Sequence, residues 1–159
     1  MTTPSIEKIE ICKFEYQLRD LTPAEQGATY RIGESITNTS YAIRIFTDIG
    51  ITGEYVGGNS TDYAGISSFG NWLIGQNPLE REYINIRVKN VMRGQAQMGL
   101  APVDIALWDL AGKYHQAPIH QLLGGYRKTL PAYVASVHAT EQDELNCPEQ
   151  MAEFAQQCK

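Results

Sequence analysis

The sequence has 159 residues, a formal net charge of −5 and 43% hydrophobic residues, enough for one core of ordinary composition. The acidic balance supplies no basic stripe of the kind that neutralises phosphates, which argues against a nucleic-acid partner. No apolar run approaches membrane-spanning length and the polar start MTTPSIEKIE lacks a signal-peptide core, so no membrane partner and a reduced, cytoplasmic setting are expected.

In chain order, β-branched and aromatic residues from Ile6 to Tyr16 alternate with Lys and Glu and predict a first strand. Its apolar phase changes between Ile11 and Phe14, as a bulge requires. The segment from Leu18 to Asn38 is long, polar and turn-rich, and it reads as a lid. Tyr41, Ile43 and Ile45 then alternate with Ala42, Arg44 and Phe46, and Asp48-Ile49-Gly50 turns the chain into Ile51 to Val56. Together these segments predict an antiparallel three-stranded meander.

Gly57-Gly58 ends the third strand, and Asn59 offers an N-cap for a helix reaching Ile74, with Gly75 as its stop. Asn77-Pro78 reads as the N-cap and first position of a second helix, whose core stripe is Ile84, Val88 and Val91. A third helix follows Gly99, because Val103, Ala106, Leu107, Leu110, Ala111 and Tyr114 recur at the spacing of one helix face. Pro102 suits its first position, Asp104 suits the positive end of the dipole, and Asp109 and Lys113 can pair across one turn. Pro118 closes that run, and Gly124-Gly125 supplies a turn. Helices following strands predict an α+β layer rather than alternating βαβ units. Beyond it, Leu130 to Val137 is a near-continuous apolar run of the kind found in strands covered on both faces. Cys147-Pro148-Glu149 then opens a helix with Met151, Phe154, Ala155 and Cys158 on one side. Cys12, Cys147 and Cys158 lack ligand or CxxC spacing and read as small apolar fillers.

The stretch from Gly99 to Gly125 resembles the signature helix of the mandelate racemase/muconate lactonizing group of the enolase superfamily. Val103-Asp104, Ala106-Leu107-Trp108-Asp109, Gly112-Lys113, Pro118-Ile119 and Leu122-Leu123-Gly124 carry the likeness. Gly99 and Pro102 depart from the family's commoner residues. The resemblance implies an enolase N-terminal-like capping domain over residues 1–126, the meander followed by a helical bundle. It implies that residues 127–159 are the first β/α unit of a truncated (β/α)8 barrel, which would need roughly 200 residues or more.

The same resemblance implies a reaction that removes the proton α to a carboxylate: racemisation, dehydration of an acid sugar (slightly favoured as a frequent activity among relatives) or cycloisomerisation. The intact parent would use Mg2+ and act on a small carboxylate as a homo-oligomer. In the family the base and metal ligands lie on later barrel strands, so no catalytic residue and no metal ligand is assigned to this chain, which alone is expected to be inactive. The cap's share of the site can be assigned. The first cap loop would be Leu21 to Arg31, with Tyr30 and with Arg31 as a carboxylate clamp. The second would be GEYVGGN, with Tyr55 as a pocket wall. At the end of the expected barrel strand, Ser136 and His138 could face substrate. His115 and His120 flank a helix end and have no ligand-spaced partners, so they read as structural.

A reading of another class stands beside this one: a noncatalytic cap-like interaction module. It is motivated by Leu130 to Val137, a strand that without barrel neighbours is an open edge and should pair with something.

Overall fold

The computed structural model describes residues 3–21, 34–94, 99–132 and 148–157. Two compact units emerge, one of Met1–Phe14 with Thr39–Tyr126 and one of Glu15–Asn38 with Arg127–Lys159. The division falls inside the first two strands, β1 (Ile6–Leu21) and β2 (Glu34–Thr47).

In the first unit, β3 (Thr52–Val56) completes a sheet of order β1-β2-β3. β2 and β3 are antiparallel, with Ile45 opposite Gly53 and Ile43 opposite Tyr55. The period-2 pattern explains which face is inward: Ile43 and Ile45 are fully buried while Arg44 between them is exposed. The Asp48–Gly50 turn is closed by the Gly50 amide donating to Thr47 O at 3.0 Å. Asp48 is also tied to β1, since its carboxylate accepts from the Ser5 amide at 2.8 Å.

Against this sheet lies α4 (Leu100–His115), which buries Val103, Ala106, Leu107, Leu110 and Ala111 as its periodicity predicts. Tyr114 is only half-buried and stands edge-on to His115. The core is completed by α1 (Ser60–Ile66), α2 (Gly70–Leu73) and α3 (Arg81–Val91), and α5 (Ile119–Leu122) follows α4. Tyr63, Ile66, Phe69, Leu73, Ile84, Val88 and Met92 join the sheet and α4 in one apolar cluster.

Several expectations are corrected. The single helix to Ile74 is two helices, because the Ser67 hydroxyl bonds back to Ala64 O at 2.6 Å and the next amides close three-residue turns. That break turns Phe69, 2% exposed, into the core. Asn77 and Pro78 form a turn ahead of α3 instead of starting it: Asn77 Oδ1 accepts from the Leu79 amide at 3.0 Å, and the helix begins at Arg81. Val91 is 57% exposed, and its core place is taken by Met92, which continues the i, i+4 row from Ile84 and Val88. Helix α4 starts at Leu100, so Pro102 is its third residue, where its missing N–H is equally harmless. Asp104 lies past the first turn, half-buried. Burial and then Glu82 raise its pKa, against the opposing pull of Arg81, Asn85 and Lys89. Cys12 is exposed on β1 and fills no core space, while Cys147 and Cys158 lie outside the described residues.

In the second unit, β1 and β2 continue where a lid from Leu18 to Asn38 was expected, leaving residues 22–33 outside the described ones. Gln17 Nε2 donates to Thr37 Oγ1 and Asn38 Nδ2 to Tyr16 Oη, both at 2.7 Å. Such cross-strand polar pairs let a polar segment hold strand structure. Leu130, Pro131 and Ala132 are irregular and exposed, and the rest of the expected strand to Val137 is outside the described residues. α6 (Pro148–Gln157) begins at the expected proline, with Phe154 half-buried and Ala155 exposed.

The tightest point of the first unit is Gly53. A Cβ there would stand 2.2 Å from Ala106 O and 2.8 Å from Leu110 Cβ, so strand and helix meet backbone to backbone. Gly53→Ala should therefore destabilise by about 3 kcal/mol through forced separation of β3 from α4. Gly94→Ala, where nothing lies within 4 Å, should change stability by less than about 0.5 kcal/mol. Urea denaturation of both variants checks the pair.

Candidate functional site

The end of β3 and the turn into α1 form the most constrained exposed feature of the first unit. Gly57 and Gly58 have φ of 140° and 78°, values that only glycine adopts without strain. The requirement at Gly57 is also spatial: a Cβ would fall 2.5 Å from Tyr55 Oη, so the Tyr55 ring lies folded along its own turn. Tyr55 is half-buried against the core cluster, while its neighbour Val56 is 63% exposed at the tip.

Three further contacts hold the turn. The Gly57 amide donates to Tyr41 O at 2.9 Å, extending the β2–β3 ladder past the strand end. Tyr63 Oη donates to Gly57 O at 2.9 Å, and the Tyr63 ring stacks on Tyr41 with centroids 4.9 Å apart. Asn59 and Asp62 form a reciprocal capping box at the start of α1. Tyr63 is 6% exposed, and burial, then Tyr55 and Asp62, push its phenol up to about 12. The phenol is therefore protonated, and a donor, at neutral pH.

A second cluster lies immediately behind the turn. Asp109 Oδ2 accepts from the Glu54 amide at 2.8 Å, and Lys113 Nζ donates to Thr52 O at 2.8 Å. Lys113 also meets Asp109 at 2.7 Å and Glu54 at 3.3 Å, and Arg44 reaches Glu54 at 3.1 Å. Partial burial pulls Lys113 down, but its hydrogen bonds and attraction to Asp109 and Glu54 outweigh this and leave its pKa raised. The i, i+4 pair Asp109–Lys113 is thus present as expected, while its partners on β2 and β3, distant in sequence, are not visible in local spacing.

The chemistry of these groups is that of a wall and a frame. Among the described residues no three His, Cys, Asp or Glu side chains converge, and the carboxylates of Glu54 and Asp109 are neutralised by Lys113 and Arg44. This donor set does not fit a divalent cation. Of the residues predicted to meet substrate, Tyr55 stands at the turn. Tyr30, Arg31, Ser136 and His138 lie outside the described residues. His115 and His120 are both exposed at the end of α4 and on α5. Tyr63 was missed, since a lone aromatic two residues before Gly65 carries no local sign that its hydroxyl closes a turn.

Comparison with known proteins identifies the family and the fold. Residues 27–124 match the family described as mandelate racemase / muconate lactonizing enzyme, N-terminal domain. The chain is similar to D-galactarolactone cycloisomerase of Agrobacterium fabrum, 34% identical over 119 residues, which cover 67% of this chain and 32% of that protein. It is similar to D-xylonate dehydratase of Haloferax volcanii, 35% identical over 121 residues, covering 70% of this chain and 28% of the relative. Its structure resembles the crystal structure of D-glucarate dehydratase from Agrobacterium tumefaciens complexed with magnesium, with a TM-score of 0.74 and 26% identity over 98% of this chain and 42% of that one. The chain spans about a third of the length of the curated relatives it matches.

Tyr63 yields a prediction with a defined sign. Its folded pKa of about 12 exceeds the ordinary 10.0, so above pH 10 the unfolded state loses the proton first and stability falls as pH rises from 10 towards 12. Tyr63→Phe should lose about 1 kcal/mol at neutral pH, from the bond to Gly57 O, and lack this share of the alkaline decline. Chemical denaturation at neutral and alkaline pH measures both.

Proposed function

The chain belongs to the mandelate racemase/muconate lactonizing enzyme family, and on that premise we propose that it forms the N-terminal part of an enzyme that removes the proton α to a carboxylate. Residues 1–126 are the capping domain in this reading, and residues 127–159 the first β/α unit of a (β/α)8 barrel. The substrate is a small carboxylate. An acid sugar undergoing dehydration is favoured, in keeping with the dehydratases among the relatives; racemisation and cycloisomerisation are the other outcomes the family accommodates.

The observation that carries the reading is the turn at the end of β3, where Tyr55 and Val56 are presented on a backbone tied down by Tyr41, Tyr63 and the α1 capping box. A carbon acid of this kind needs a positioned base and concentrated positive charge on the developing oxyanion, in a site closed to water. A cap contributes a wall to such a site, and the tied-down turn beside Tyr55 supports that role. Tyr55 serves as a pocket wall. The other substrate contacts this reading takes from the family resemblance are Tyr30, Arg31 as a carboxylate clamp, Ser136 and His138, all outside the described residues. Mg2+ belongs to this reading as a cofactor of the whole enzyme, held by residues other than those described. The whole enzyme is a cytoplasmic homo-oligomer, and this chain by itself is inactive.

The test begins with the intact mass of the naturally produced protein against the 17.7 kDa of this chain. Turnover of an acid-sugar panel with and without Mg2+ follows in the same preparation. The expected result is a mass roughly twice this value or more, as a cap with a complete barrel requires, with turnover abolished by chelation. A mass equal to this chain, with no metal-dependent turnover, would overturn the enzyme reading in favour of an interaction module.

A further inference from the structure

Among the described residues the outer edge of β3 has no strand beside it, since β3 is last in the sheet order. The ladder shows which of its backbone groups face outward. Thr47 N donates to Ile51 O at 3.2 Å and Gly57 N to Tyr41 O at 2.9 Å, which brackets the β2–β3 pairing at both ends. Alternation between these two points makes Ile45 with Gly53 and Ile43 with Tyr55 the hydrogen-bonded pairs. Thr52 and Glu54 therefore turn their amide and carbonyl groups to the free edge.

Two side chains from α4 meet that edge. Asp109 takes the Glu54 amide and Lys113 gives to the Thr52 carbonyl, each at 2.8 Å, and one helical turn holds the two at 2.7 Å from each other. Between them sits Gly53, pressed on Ala106 O. Three consecutive residues of β3 are thus fixed to the helix immediately before Tyr55. The four charged side chains are between about a third and a half exposed, at 34% for Asp109, 42% for Lys113, 47% for Glu54 and 53% for Arg44. Ion pairs so exposed add little to global stability. Charged groups bonded to backbone are directional, and their chief effect here is on position.

We propose that Asp109 and Lys113 are positioning residues of the reaction: by standing in for a neighbouring strand they set the place from which Tyr55 meets the substrate. This rests on the reading of Tyr55 as a pocket wall. The role is indirect, because neither residue touches substrate or the reacting atoms.

The test uses the naturally produced protein and compares Asp109→Ala, Asp109→Asn and Lys113→Met with wild type. Asparagine keeps an acceptor for the Glu54 amide and loses the charge. In Asp109→Ala the Glu54 amide should exchange about tenfold faster, the Tyr55 ring resonances should shift, and KM should rise severalfold with kcat within about twofold. Asp109→Asn should restore most of the exchange protection and of KM. Unchanged exchange at Glu54 would overturn the proposal, and so would faster exchange with unmoved Tyr55 resonances and unmoved KM. Should Asp109→Ala fail to fold, Lys113→Met, which removes only the Thr52 bond and its ion pairs, decides by the same readouts at Tyr55. If wild type turns over no acid sugar, the acid-sugar assignment fails by itself. Glu54 exchange and the Tyr55 resonances then still decide the clamp, supporting it if both move and overturning it if neither does.

Discussion

The first unit depends on the absence of a side chain at Gly53. Because β3 carries no Cβ there, α4 settles onto the strand until Ala106 O occupies the space a methyl group would need. The approach has two results. The buried row Val103, Ala106, Leu107 and Leu110 can share one cluster with Ile43 and Ile45, and the Asp109 carboxylate and the Lys113 ammonium, about one and two turns beyond Ala106, come within hydrogen-bonding reach of the strand backbone. A second close approach fixes the helix start: Gly99, at φ 90°, leaves room for Asp62 O and the Ile66 amide, both within 3 Å of where its Cβ would be. Two glycines thus locate α4 against β3 and against α1.

What was legible in the sequence is what periodicity and turn chemistry encode locally. The α4 stripe, the alternation of Ile43 and Ile45, the Asp48–Gly50 turn and the Asn59 cap are each set by residues within one or two turns of chain. The helix break at Ser67 was less legible, since a hydroxyl that bonds back to Ala64 competes with helix continuation without altering the apolar pattern. Val91 and Met92 exchanged roles for a similar reason: both fall within a tolerable angle of one face, and packing chooses between them. Of the frame around Tyr55 only the Asp109–Lys113 pair was legible. The frame's members Arg44, Glu54, Asp109 and Lys113 are scattered over three elements, and nothing in the spacing of Glu54 announces a helix residue 55 positions later. Four of the predicted substrate contacts, Tyr30, Arg31, Ser136 and His138, fall outside the described residues; the likeness of Ala106-Leu107-Trp108-Asp109 to the family signature speaks to the fold that would carry them.

Electrostatics on α4 divide by face. Towards β3, Asp109 and Lys113 are spent on backbone and on Glu54. On another side of the helix, the Arg81 guanidinium lies 3.8 Å from the centroid of the Trp108 ring. Among the described residues its buried Nε has no hydrogen-bond partner, and the indole face lies against the half-buried guanidinium on that side. Asp104, whose carboxyl is raised first by burial, is pulled back by the same Arg81. Asp109 and Lys113 are thus matched to partners on β3, while Asp104 is only partly offset by Arg81.

The cover on the β3 edge also has a consequence in time. Asp109 closes the Glu54 amide across a sequence separation of 55 residues. During translation at about 5–20 residues per second, β3 leaves the ribosome roughly 3–11 s before its guard does. In that interval the strand presents bare amides and carbonyls, the features by which nascent chains on a polysome find one another. The charges of Arg44 and Glu54, already synthesised, are the only members of the frame available to discourage such pairing. For the β3 edge this exposure ends when α4 arrives.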